Sequence, residues 1–111
     1  MKLDKWTKEV AQTFISVITR PRFRSELVSE EFEEKQGNSV YNVIFRQNEQ
    51  IYSLRFTSQR DSVHIYANTI PESKFRFSQS IPRQNPPGLR KIALIFMKKV
   101  SHKPIFDIMH I

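Results

Sequence analysis

The chain contains no cysteine and only two glycines among its 111 residues. The absence of cysteine excludes disulfide bonds, thiolate metal ligands and a cysteine nucleophile. The shortage of glycine excludes a glycine-rich loop around a phosphate group. No apolar run approaches the ~18 residues of a membrane-spanning helix, and the first residues lack the apolar core of a signal peptide. We therefore expect a cytoplasmic protein of one domain, residues 1–111, that works without a cofactor.

Acidic residues are scarce outside one segment of the sequence. The chain has 18 Lys and Arg against 11 Asp and Glu, which gives a formal net charge of +7. Five of the acids are glutamates within residues 25–35, and the net charge of that segment is −4. Residues 1–24 carry +4 and residues 36–111 carry +7. This basic excess favours partners that are anionic, either nucleic acid or an acidic protein surface.

Apolar residues that recur every three to four positions predict two helices, one near each end of the chain. The first covers about residues 4–19, with Asp4 as its N-cap. The second follows a proline-rich loop at 81–88 and is expected to end at residues 101–104, where a proline interrupts it. Residues 105–111 are apolar, and we expect them to pack back as a short strand or a buried extension.

Alternating apolar and polar residues between the helices predict an antiparallel meander of four or five strands. Four of them cover residues 39–46, 51–58, 62–69 and 73–79. The acidic segment 25–35 fits either a short helix or an edge strand that turns at residues 36–38. We favour the strand, because charged side chains discourage edge-to-edge aggregation. The fold class is therefore α+β, a curved sheet with both helices packed on its apolar face.

The two faces of the predicted meander differ in chemistry. The apolar face is predicted to carry Tyr52, Leu54, Phe56, Val63, Ile65, Phe75 and Phe77. The opposite face is predicted to carry Arg46, Arg55, His64, Tyr66, Lys74 and Arg76. Cations beside an aromatic ring are the groups that track a phosphate backbone and stack a base. A solvated sheet face has the same composition, so this pattern alone leaves both interpretations open.

Two further basic clusters lie outside the meander. Arg90 and Lys91 stand at the start of the second helix, where the helix dipole disfavours cations, so we include them among the candidate nucleic-acid-binding residues. Arg20, Arg22 and Arg24 precede the acidic segment, and internal ion pairs with its glutamates are the favoured explanation for them.

Catalysis has little support in the sequence. The three histidines, His64, His102 and His110, have no metal-ligand spacing, and we predict no catalytic residue and no metal ligand. A small ribonuclease that uses Arg55, His64, Tyr66 and Arg76 is a remote alternative.

The sequence thus predicts a small, basic, non-catalytic protein that binds single-stranded DNA or RNA through its sheet, and no motif identifies a family. The alternative is a protein-interaction module, such as an accessory, inhibitor or chaperone-like subunit of a bacterial, phage or other mobile-element system. Some single-strand-binding folds built from a meander and a helix are dimers, so a homodimer is one expected arrangement.

Overall fold

Two helices and five strands make up the fold in the computed structural model, which describes residues 4–35, 38–84 and 88–109, with the backbone alone at 35 and 102–109. Their order is α1 (Lys5–Ile18), β1 (Glu26–Lys35), β2 (Asn38–Gln47), β3 (Gln50–Ser58), β4 (Ser62–Ile70), β5 (Phe77–Pro82) and α2 (Leu89–Met109). The strands form one antiparallel sheet in the order β1-β2-β3-β4-β5. The predicted α+β class, with a meander between two helices, is confirmed.

Helix α1 begins where the sequence predicts. The Asp4 carboxylate accepts hydrogen bonds from the Thr7 backbone N–H at 3.0 Å and from the Thr7 hydroxyl at 2.8 Å. These bonds satisfy donors that the first turn of a helix leaves without partners. The buried side of α1 is its predicted stripe, centred on Phe14 and Val17. A single 3₁₀ turn at Pro21–Phe23 follows the helix and leads into the sheet.

The acidic segment forms a strand, β1, and not the alternative short helix. It pairs with β2 along its whole length, from Glu26 opposite Arg46 to Lys35 opposite Asn38. A bulge at Val28 interrupts the register. The predicted turn residues 36 and 37 lie outside the described residues. Strand β1 is therefore one edge of the sheet, as predicted.

A tight turn joins β2 to β3. Asn48 and Glu49 form it, and both have positive φ angles, 51° and 66°. Two consecutive residues in the left-handed region define the mirror-image turn that suits the twist of an antiparallel hairpin. Glycine is the usual second residue of such a turn, and this chain places Glu49 there instead.

The fifth strand differs from the prediction. We expected a strand at 73–79 and a loop at 81–88, whereas β5 covers Phe77–Pro82. Local hydrogen bonds hold the preceding segment out of the sheet: the Ser73 hydroxyl contacts the Thr69 hydroxyl at 2.6 Å, and Arg76 donates to the carbonyl oxygens of Ser73 and Phe75. Phe75 and Phe77 are both buried, as predicted, although Phe75 lies outside the strand.

The second helix is longer than predicted. We expected it to end at residues 101–104, but its backbone continues to Met109 through Pro104. Proline removes one hydrogen bond from a helix, but its own φ is helical. The sequence between Val100 and Pro104 offers no glycine or asparagine for a left-handed cap. Residues 105–109 are therefore helical, so the predicted short strand is wrong. The other predicted alternative, a buried extension, concerns side chains outside the described ones, and residues 110 and 111 also lie outside the described chain.

Both helices pack against the same face of the sheet, as predicted, and they run in the same direction. Near their beginnings, Arg83 of the segment before α2 forms an ion pair with Asp4 at 2.8 Å. Near their described ends, the buried Gln47 amide donates to the Phe23 carbonyl and to the Ser101 hydroxyl, each at 3.0 Å. The helix layer therefore covers one sheet face, and the other face, called the outer face below, is free of helices in the described chain.

Candidate functional site

Arg55 and Tyr66 lie at the centre of the outer face. They are direct cross-strand neighbours on β3 and β4, and Asn42 of β2 continues the same row. The Arg55 Nε donates a hydrogen bond to the Asn42 Oδ1 at 3.2 Å. This bond uses one of the five N–H groups of the guanidinium and orients the rest of it. The Tyr66 hydroxyl has no hydrogen-bond partner within the described residues, so its ring and hydroxyl can both contact a ligand.

A depression of about 260 Å³ surrounds this pair, and we call it the Tyr66 groove. Its lining consists of Ser53, Arg55, Tyr66, Asn68 and Ile70. Ser53 and Asn68 form the next row of the outer face, and Ile70 faces Ile51 in the row after that. The groove therefore combines one cation, one aromatic ring, two small polar groups and an apolar end.

A second depression, of about 360 Å³, lies beyond that apolar end, and we call it the Arg46 groove. It is lined by Arg24, Glu26, Arg46, Asn48, Glu49 and Ile51. Arg46 and Glu26 form an ion pair at 2.8 Å, and this hydrogen-bonded contact raises the pKa of Arg46 above its usual range. The pair is exposed, so it contributes little stability and leaves Arg46 accessible. The side chains of Ile51 and Ile70 separate the two grooves.

His64 is placed on the outer face as predicted, but its ring is already engaged. Its Nδ1 lies 3.2 Å from the Ser80 hydroxyl and its Nε2 lies 3.3 Å from the Ser78 hydroxyl. Both serines belong to β5, so the ring bridges β4 to the neighbouring edge strand. These contacts hold the His64 ring against β5, beside the row that contains Arg55 and Tyr66.

Lys74 and Arg76 lie in the segment before β5 and not in a strand, so the predicted alternation that placed them on one sheet face with Arg46 and Arg55 is wrong. The Arg76 guanidinium forms an ion pair with Glu72 at 2.6 Å, and its backbone carbonyl accepts a hydrogen bond from the Lys99 ammonium at 2.6 Å. The alternation predicted for residues 73–79 is wrong for the same reason that β5 begins later than predicted. The segment before β5 forms hydrogen bonds within itself and with α2.

Arg90 and Lys91 are exposed on the first turn of α2. Because α2 lies behind the sheet, the structure separates these two cations from Arg55 and Tyr66. The eight candidate residues thus divide into three groups, of which the outer face holds Arg46, Arg55, His64 and Tyr66.

The charge of the outer face is mixed, contrary to the expectation of a cationic face. Two arginines lie on it, at 46 and 55. Three glutamates of β1, at positions 26, 31 and 33, lie on the same face by register. Arg55 lies on β3, Arg46 lies on β2 beside its ion-pair partner Glu26, and the negative side chains follow the β1 edge.

Several lining residues were not among the sequence candidates: Ser53, Asn68, Ile51 and Ile70. Alternation from Arg55 and Tyr66 would have found them, because positions two and four residues away share a face. Arg24 was expected to pair with the acidic segment. Its place in the Arg46 groove depends on its own left-handed conformation, φ 53°, which the sequence did not indicate.

The described part of the chain shows neither a metal site nor a membrane-spanning helix. It contains no group of three or more His, Asp or Glu residues able to hold a metal ion. None of its helices combines the length and the apolar character that a membrane crossing requires. Comparison of the chain with protein-family models, with curated proteins and with solved structures finds no match.

Proposed function

We propose that this protein binds single-stranded nucleic acid on its outer face, across the Tyr66 groove and the Arg46 groove. The observation that carries the proposal is that the two depressions lie on either side of the paired Ile51 and Ile70, with arginine in each and an aromatic ring in one. A base stacks on the Tyr66 ring, and Arg55 and Arg46 contact phosphates on either side of the Ile51–Ile70 pair. Ser53 and Asn68 supply hydrogen bonds to exposed base edges.

The length of the track suits a short single strand. Successive rows on one sheet face are two residues apart, about 7 Å at the usual strand rise. The distance from the Arg55–Tyr66 row to the Ile51–Ile70 row is therefore ~14 Å. Nucleic-acid-binding sheets of similar size stack about two or three bases, and this track has room for that number.

The glutamates of β1 give the proposed track a direction. Glu31 and Glu33 repel phosphates from the β1 edge beside Asn42 and Val40, so the backbone runs from Arg55 on β3 to Arg46 at the far end of β2. A duplex is broader than this path, and it would bring phosphates close to the acidic edge. We therefore expect single strands to bind more tightly than duplexes.

A second candidate function is binding of an acidic protein segment on the same surface. The exposed Ile70, 44% accessible, lies between the two arginine-containing grooves and supports it. Arginine, tyrosine and apolar side chains together are enriched at protein interfaces. The two candidates differ in how their binding affinity depends on salt. Affinity for nucleic acid falls more steeply with salt, because each phosphate that is neutralised releases counterions.

The experiment is fluorescence anisotropy of a labelled single-stranded oligonucleotide and of its duplex across a salt series. Arg55→Gln is expected to flatten the salt dependence by about 0.7 log units of affinity per log unit of salt, the value for one phosphate contact on a single strand. Tyr66→Ala is expected to weaken single-strand binding by ~1–3 kcal/mol with little change in the salt dependence.

Arg90→Gln is the matched control, because it removes the same charge from the layer behind the sheet. Equal effects of Arg55→Gln and Arg90→Gln would show that net charge, and not the outer face, governs binding. Absence of single-strand binding by the wild-type protein at low salt would refute the proposal and leave the acidic protein segment as the candidate.

A further inference from the structure

The free edge of β1 is the longest unpaired strand edge in the described part of the chain. Strand β1 has ten residues and pairs only with β2 on one side. Its other side presents backbone N–H and C=O groups with no strand against them. Such a row of groups is a template for an added strand.

The side chains along this edge are also accessible. Residues 30–34 are exposed on both faces of the strand. Phe32 is 41% exposed, and Val28, at the bulge, is 53% exposed. Beyond the bulge, from Ser29 onward, the strand is regular. The edge therefore offers a straight segment with one accessible aromatic ring, Phe32, on the side of the sheet that carries the helices.

The charge of β1 specifies which strand it accepts. Glu31 and Glu33 lie on the outer face, and Glu30 flanks Phe32 on the other. The Glu30 carboxylate accepts a hydrogen bond from the neutral Tyr41 hydroxyl at 2.6 Å, and Glu33 contacts the Asn42 amide at 3.4 Å. These contacts orient the carboxylates but do not neutralise them. An added strand therefore meets negative charge on both faces.

The same charges exclude a second copy of this chain as the added strand. Antiparallel pairing of two β1 strands would set a run of glutamates against an identical run, and like charges on adjacent strands are destabilising. The opposite edge of the sheet, β5, is a poorer template because it has six residues and ends in Pro82, which has no N–H to donate.

We propose that the free edge of β1 binds an extended basic segment of a protein partner, which adds to the sheet as a sixth strand. Lys or Arg of that segment faces Glu31 and Glu33, and its apolar residues face Phe32. This surface is distinct from the two grooves of the outer face, and the inference does not rest on nucleic-acid binding.

The test uses a labelled peptide of about six residues in which lysine and valine alternate. We expect it to bind the full chain and to slow hydrogen exchange of backbone amides in residues 29–34, but not in β5. A lysine–proline peptide of equal length and charge lacks half of the backbone donors and cannot form a ladder. It is expected to bind much more weakly and to leave hydrogen exchange unchanged.

The variant Glu31→Gln with Glu33→Gln is expected to weaken binding of the lysine–valine peptide about fivefold. Glu9→Gln removes an exposed carboxylate from α1 and is the control, with no expected change. Equal binding of the two peptides, or unchanged exchange in residues 29–34, would overturn strand addition. A concentration-dependent dimer that slows exchange of the same amides without peptide would assign the edge to self-association instead.

Discussion

Replacement of Phe96 by alanine tests the packing of the helix layer on the sheet. Phe96 is fully buried in α2, and its ring centroid lies 5.0 Å from that of Phe77. It lies 6.1 Å from Phe14 of α1, 6.1 Å from Phe45 of β2 and 6.3 Å from Phe75. One side chain thus joins both helices, the sheet and the segment before β5.

The expected magnitude follows from this position. Truncation of a buried phenylalanine to alanine costs ~3–5 kcal/mol. Each aromatic pair contributes about 0.5–1.5 kcal/mol beyond its buried area. Because Phe96 has four aromatic neighbours, we expect its truncation to cost about 5 kcal/mol, the upper end of the range for phenylalanine. A domain of this size has an unfolding free energy of ~5–15 kcal/mol, and a change of 1 kcal/mol moves its Tm by about 4 °C. We therefore expect Phe96→Ala to lower Tm by roughly 15–20 °C.

The assay is urea and thermal unfolding followed by circular dichroism, with Ile95→Ala as the control. Ile95 is the adjacent residue of the same helix, and its side chain is 56% exposed. Its truncation should change the unfolding free energy by less than ~0.5 kcal/mol. A loss below ~1 kcal/mol for Phe96→Ala, or equal losses for the two variants, would mean that α2 is rotated or undocked and would refute the reasoning.

Three further predictions concern single contacts and use urea unfolding. Partial burial of the Tyr41 hydroxyl, together with its hydrogen bond to Glu30, raises the pKa of Tyr41 from 10.0 to about 12. The unfolding free energy of the wild type should therefore exceed that of Tyr41→Phe by ~1 kcal/mol below pH 10, and the difference should disappear as the pH rises toward 12. Burial acts to raise the pKa of Asp4, but hydrogen bonds from Thr7 and the Arg83 guanidinium outweigh it and lower the pKa. Asp4→Ala should therefore lower the unfolding free energy by ~1–2 kcal/mol. Asp4→Asn should lower it less, because asparagine can still cap α1. The stability difference between the wild type and Asp4→Asn should vanish at pH well below 3.8, where the Asp4 carboxylate is protonated. Glu49→Gly should raise the unfolding free energy by about 0.5–1 kcal/mol, since glycine relieves the left-handed strain; a decrease would contradict that origin.

The sequence predicted the sheet wherever alternation and turns agreed. Leu54 and Phe56 face the core because their strand alternates without interruption and is bounded by polar turns. Around Phe75 the same pattern misleads. Phe75 reaches the core from the irregular segment before β5, and Phe77 reaches it from the first position of β5. The hydrogen bonds of Ser73 and Arg76 hold Phe75 outside the strand. Bonds between a side chain and a nearby carbonyl leave no periodic signal.

The candidate site was predictable in part. Alternation places Arg55 and Tyr66 on one face, but only the register shows that they are neighbours, because a slip of two residues preserves the face and changes every pair. The expected cationic face failed at Lys74 and Arg76, whose positions depend on where β5 begins. The acidic half of the outer face follows from pairing of β1 with β2, which the sequence favoured without giving its register.

The order of the elements along the chain also has a consequence for folding kinetics. Each strand pairs with the next strand in the sequence, so the hairpins can form locally and rapidly. The contact between Phe14 and Phe96, in contrast, joins segments from opposite ends of the sequence and closes a long loop, which is entropically costly. We expect the meander to be largely formed in the transition state and the helix–helix contact to form after it. Mutations between the helices should then accelerate unfolding and leave the folding rate nearly unchanged.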